Sequence, residues 1–181
     1  DEEWVADMAS PILLDLCKEI TWPCDLSTFK NDAMYLRDTA RRFSPFSVDW
    51  ITVGERFPMM ISGAGRAYLT FCPEEEQNEI LELLRGSSDK FDLLVNKPGY
   101  VKKFIAETRR QGYGLRCREH IYDGRTDSVA VPIRIGTRVL GTIGIVGIAS
   151  AITGQELADR HLTPLLAARD KLEADVQSLK I

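Results

Sequence analysis

Apolar residues recur at helical spacing near the start of the chain, at Trp4, Val5, Met8, Ile12, Leu13, Leu16 and Ile20. Ser10-Pro11 falls inside this pattern, so the helix either kinks there or restarts with Ser10 as its cap and Pro11 as its first residue. Two strand-like runs follow, Trp22 to Phe29 and Ala33 to Arg41. Between them Lys30-Asn31-Asp32 has the composition of a hairpin turn. Phe43 to Val53 is aromatic and irregular, with Pro45 inside it. Ser62 is placed to cap a helix running to Phe71. Pro73 and Glu74-Glu75-Glu76 open an acidic-first helix that ends at Gly86. Pro98 to Gln111 reads as a further helix, stopped by Gly112.

The last third is richer in strands. Tyr113 to Glu119 is one candidate, and Ser128 to Ile135 and Val139 to Ile148 are two more, joined by the tight turn Gly136-Thr137-Arg138. A long helix starts at Thr153, with Pro164 kinking or restarting it. Leu165, Leu172 and Leu179 with Ala168 and Val176 form its apolar stripe. This order of elements predicts an α+β protein, a mainly antiparallel sheet flanked by helices on both faces. With no repeat, linker or low-complexity tract, residues 1–181 are expected to form one domain.

Charge and cysteine usage narrow the classes. A net charge of −4 argues against a nucleic-acid-binding surface on this piece, because such surfaces are usually basic. Cys17, Cys24, Cys72 and Cys117 contain no Cys-x-x-Cys pair, and reduced thiols in a cytoplasmic protein are the expectation. The longest apolar stretch, Ile143 to Ile152, is interrupted by glycines and too short to span a membrane. The chain begins at Asp1 rather than Met, as expected of a segment of a longer protein.

No catalytic constellation can be assembled. His120 and His161 belong to no His-Glu-x-x-His or Cys/His cluster, there is no Gly-x-Ser-x-Gly elbow, and neither metal nor cofactor is expected. Gly63-Ala64-Gly65 suggests a dinucleotide turn, but Tyr68 stands where the third glycine would be. Gly63-Ala64-Gly65-Arg66 also lacks the Lys-Ser/Thr ending of a phosphate loop. A glycine-started helix still offers close backbone approach and unpaired N–H groups to an anion, carboxylate as well as phosphate. The competing reading is that the glycines only permit close helix–sheet packing.

Four stretches in register, "PMMISGAGRAYLTFCP", "TRRQGYG", "DSVAVPIRIGTRVLGTIGIVG" and "LADRHLTPLLAARDKL", resemble the effector-binding domain of IclR-type transcriptional regulators over essentially the whole chain. "WPCDLSTF", "DAMYLRDT" and "SAIT" look most like the branch controlling degradation of aromatic, phenylpropionate-type acids. The resemblance implies a GAF-like fold with a six-stranded antiparallel sheet and a small-molecule pocket. It also implies DNA contact only through an N-terminal winged helix-turn-helix outside this chain, and homodimers or homotetramers. It carries ligand-contacting positions onto Gly63, Ala64, Arg116, Ser128, Gly144 and Val146, with Gly65 in the same turn. Here Arg116 replaces an often acidic family residue, and Gly144 and Val146 replace frequent serines, which favours a larger and more apolar ligand. Arg116 or Arg118 is expected to pair with a ligand carboxylate, though either could be a solvated strand-edge arginine. Phe46 and Trp50 are candidates for the apolar wall of an aromatic-acid site, while Phe43, Tyr68 and Phe71 are expected in the core. The alternatives are a purely structural oligomerisation module, its pocket vestigial or filled by side chains, and a small acyl- or phospho-hydrolase.

Overall fold

The computed structural model describes residues 4–48, 51–120 and 124–179. The chain starts with a single π-helical turn, Val5–Ala9, and restarts at once as α1, Ser10–Ile20, with Pro11 in its first turn. Ser10 is not the cap. Its hydroxyl donates to Asp38 instead, tying the restart to the sheet. Thr21, at φ 74°, ends the helix.

β1 (Cys24–Lys30) and β2 (Ala33–Thr39) form the first hairpin around Asn31-Asp32, with Asn31 in the left-handed region at φ 59°. The second hairpin, β5 (Thr126–Ile135) and β6 (Arg138–Ile148), turns on Gly136 at φ 63°. These left-handed residues fit the primed turns that match strand twist. Two short strands lay outside the sequence pattern or were overestimated by it. β3 is only Arg56–Pro58, and β4 is only Gly114–Leu115 rather than Tyr113 to Glu119. β4 is short because the Cys117 amide leaves the sheet to donate to the Ile61 carbonyl at 2.8 Å. The sheet is six-stranded and antiparallel throughout, in the order β3-β2-β1-β6-β5-β4.

Helices cover both faces. α1 and the terminal helix α5 (Gly154–Ser178) bury Leu13, Leu16, Leu165 and Leu172 against Cys24, Leu26, Val129, Val131, Ile143 and Ile145. On the other face α2 (Gly63–Phe71), α3 (Glu74–Arg85) and α4 (Tyr100–Gln111) enclose Met34, Met59, Met60, Leu69, Leu84 and Phe104. Both caps read from sequence are in place. Ser62 Oγ accepts from the Gly65 amide at 2.9 Å, and Thr153 and Glu156 form a capping box. Pro164 sits inside α5 without ending it.

Two expected core residues are not core. Leu179 lies beyond α5 and is 60% exposed. Phe43 is 50% exposed because the 3-10 turn Arg41–Phe43 directs Arg41 inward, which leaves the ring outside under the Arg42 guanidinium. Tyr68 is buried as expected, and Phe71 is half-buried beneath Arg134.

Candidate ligand-binding cavity

Alternation along the three central strands creates the site. Val129, Val131, Ile143, Ile145 and Leu26 point to α1 and α5, so the opposite parity, Ser128, Ala130, Thr142, Gly144, Val146, Asp25 and Ser27, points towards α2. There the start of α2 and the segment before it stand off the sheet. They leave a partly enclosed cavity of about 70 Å³. Phe57, Ile61 and Ile51 contribute apolar wall, while Ser62, Gly63 and Ala64 bring the start of α2 to the edge. The Gly63 and Ala64 amides are first-turn donors with no intrahelical acceptor, and they carry the positive end of the helix dipole.

Arg116 lines the cavity, and its guanidinium donates to the Thr126 carbonyl at 3.0 Å and the Thr126 hydroxyl at 2.6 Å. Asp25 and Arg41 line it as well. Arg41 Nη2 reaches Asp25 Oδ2 at 2.7 Å, Nε lies 3.1 Å and 3.2 Å from the two carboxylate oxygens, and Thr39 Oγ1 donates to Oδ1 at 2.6 Å. Both members of the pair are more than nine-tenths buried, Arg41 at 6% exposure and Asp25 at 8%.

Of the residues chosen from sequence, Gly63, Ala64, Arg116, Ser128, Gly144 and Val146 line this one cavity. Arg118 does not; it is an exposed side chain 3.8 Å from Asp127. Phe46 packs on Trp22 with the rings tilted at 35° and centroids 4.6 Å apart, and it lines an adjoining recess that shares Arg41, Thr126 and Val146 with the main cavity. Trp50 lies outside the described residues. Gly65 faces away, where a Cβ would meet Met59 Cα at 2.5 Å, so its missing side chain allows α2 to cross the preceding segment. Gly65→Ala should therefore overpack this crossing and lower stability by about 2 kcal/mol, read from the denaturant midpoint. Gly63 combines two roles. Its backbone edges the cavity, while a Cβ there would lie 3.0 Å from the Gly114 carbonyl and 3.2 Å from Ser128 Oγ. Gly144 is tight too, with a Cβ falling 2.8 Å from the Val129 carbonyl. The absence of a side chain at 144 thus serves strand packing as well as the cavity floor.

Sequence reasoning missed Asp25, Ser27, Arg41 and Thr142. The available signal was polar alternation in Cys24-Asp25-Leu26-Ser27, a strand buried on both faces. Three of the four thiols are poorly suited to chemistry. Burial pushes Cys17 and Cys24 up and raises Cys72 to about 12, so these remain protonated at neutral pH. Among the described residues no group of three or more His, Cys, Asp or Glu is placed to hold a metal, and no helix is long and apolar enough to cross a membrane.

A six-stranded antiparallel sheet with helices on both faces, and a hollow beside a helix start, is a GAF-like, α+β architecture. Residues 2–174 match the family described as the bacterial transcriptional regulator IclR C-terminal domain. The chain belongs to that family. The transcriptional repressor IclR of Escherichia coli (strain K12) is 32% identical over 68 residues, 38% of this chain and 24% of that repressor. The chain thus matches about a quarter of that relative's length. Among solved structures, an IclR family regulator from Brucella abortus superposes with a TM-score of 0.75 at 21% identity, covering 96% of this chain and 63% of that one. The Thermotoga maritima IclR gives 0.76 at 19% identity over 94% and 68%. A double mutant of the inducer binding domain of the Acinetobacter PobR transcription factor, in complex with 3-hydroxybenzoic acid, gives 0.72 at 17% identity over 93% and 97%.

Proposed function

We propose that this chain is the effector-binding domain of a cytoplasmic bacterial transcriptional regulator and that it binds a small aromatic acid between α2 and the sheet. The observation that carries this is convergence. The free first-turn amides of α2, Ser128 and Arg116 meet at one side of a hollow otherwise walled by Ile51, Phe57, Ile61, Ala130 and Val146. Anion donors against an apolar wall suit an acid with an aromatic body. The 3-hydroxybenzoic acid in the PobR domain, which has the same fold, supports this class of ligand.

The coupling is by binding alone, with no covalent step. The acid binds one arrangement of a homodimer or homotetramer better than another, and that difference shifts how N-terminal winged helix-turn-helix domains are presented to DNA. Isothermal calorimetry against phenylpropionates, hydroxybenzoates, pyruvate and glyoxylate tests the reading. Saturable binding of an aromatic acid is expected, and absence of binding by every acid refutes it. Arg116→Met keeps the aliphatic stem and removes the donors, so it should weaken acid binding by about 1.5–3 kcal/mol, about ten- to a hundredfold. The uncharged amide of the same acid should bind the parent and the variant equally.

A further inference from the structure

The cavity floor has a second polar end that anion binding at α2 does not use. Ser27 on β1 and Thr142 on β6 are direct cross-strand partners, both line the cavity, and they are only 3% and 2% exposed. Neither hydroxyl has a hydrogen bond to another described residue. Two such hydroxyls side by side face the hollow, and a ligand that covers them without offering partners leaves them desolvated and unpaired at a cost.

Their position along the sheet sets a length. Ser128 pairs with Val146, and Thr142 lies four residues further along β6. At the rise of a strand that is about 13 Å. A hydrogen bond of about 2.8 Å at each end leaves roughly 7–8 Å between the polar ends of whatever spans the floor. The middle of that span is Gly144 opposite Ala130, a flat and nearly side-chain-free surface. Asp25, opposite Gly144 on β1, flanks it with its charge already matched by Arg41, so no net positive charge waits there for a second carboxylate.

We infer that the ligand is an aromatic acid bearing a hydroxyl at the end of the ring opposite its acid, with that hydroxyl bound between Ser27 and Thr142. This rests on the reading that the carboxylate sits at the start of α2. A single phenolic hydroxyl can donate to one of these side chains and accept from the other. An acid without it leaves both hydroxyls desolvated and unpaired, the situation in which polar sites discriminate most strongly.

The experiment is calorimetric titration of the parent, Thr142→Val and Ser27→Ala with two series. One is 4-hydroxybenzoate, 2-hydroxybenzoate and benzoate, and the other is 3-(4-hydroxyphenyl)propionate and phenylpropionate. The 4-hydroxy acid of at least one series should bind the parent about ten- to a hundredfold more tightly than its counterpart without the hydroxyl. Thr142→Val, nearly isosteric, should erase that preference while leaving the unsubstituted acid unchanged. Ser27→Ala should do the same. Equal binding of hydroxylated and unsubstituted acids by the parent overturns this inference and leaves the acid site standing. So does an equal loss for both acids in either variant. If no acid binds the parent at all, the acid site and this inference fall together.

Discussion

Arg41→Met is expected to lower the unfolding free energy by about 3–5 kcal/mol, because it strands the Asp25 carboxylate in an almost fully buried position. In the parent that carboxylate receives both Arg41 Nε and Nη2 and the Thr39 hydroxyl, and each partner is turned inward by the backbone around it. Met keeps the stem volume, so the loss is of charge and donors rather than of packing. The informative control is the double change Arg41→Met with Asp25→Leu. Replacing a buried pair by apolar side chains of similar size removes the unpaired charge and should recover much of the loss. Urea denaturation of the four proteins of this cycle measures it. A single-variant loss below about 1 kcal/mol would mean that water reaches Asp25 and that the pair is not what fixes this end of the cavity.

Arg56→Met should cost about 3 kcal/mol at neutral pH, for a related reason and with a distinctive pH dependence. Arg56 Nη2 lies 3.0 Å from Asp32 Oδ2 and 3.0 Å from Asp92 Oδ2, so one guanidinium joins the β1–β2 turn, β3 and the turn Asp92–Asn96. Asp92 has no exposure, and desolvation raises its carboxyl above the ordinary 3.8 even though Ser87 and Arg56 oppose that rise. A carboxyl raised on folding is favoured in its protonated form, so its ionisation counts against the fold as pH climbs through the folded-state value. Removing Arg56 takes away a lowering influence and raises that value further. The stability gap between parent and variant should therefore be small near pH 4 and widen towards pH 8. Adding Asp92→Asn to the variant should flatten the profile and restore part of the stability. Thermal melts across this range provide the check, and a gap independent of pH would show that Asp92 is not the group left unpaired.

How much of this was legible beforehand can be followed residue by residue. Ser62, Thr153 and Gly112 announce helix ends because capping is a transaction between neighbours in sequence. Asn31-Asp32 and Gly136-Thr137 announce hairpins for the same local reason. Phe43 was misplaced because aromatic content alone favours burial, whereas the buried side chain of that turn is the charged Arg41, drawn in by an aspartate 16 residues earlier. Strand β4 was drawn too long because its early exit depends on the distant Ile61 carbonyl.

The site divides along the same line. Gly63-Ala64 after the Ser62 cap marks a helix start whose first amides lack an intrahelical acceptor, and that much is legible in the sequence alone. The sequence also determined the helices, the two hairpins and the family. The tertiary structure decided which glycine edges the cavity and which one only lets α2 cross its neighbour. It also excluded Arg118 from the wall and brought Asp25, Ser27, Arg41 and Thr142 into it. The reason is register: Asp25 meets Gly144 and Ser27 meets Thr142 only when β1 lies beside β6, and a slip of one residue would turn the whole polar row to the opposite face. Pairing between segments so far apart in the chain is settled by burying both sheet faces at once, a condition no local stretch contains.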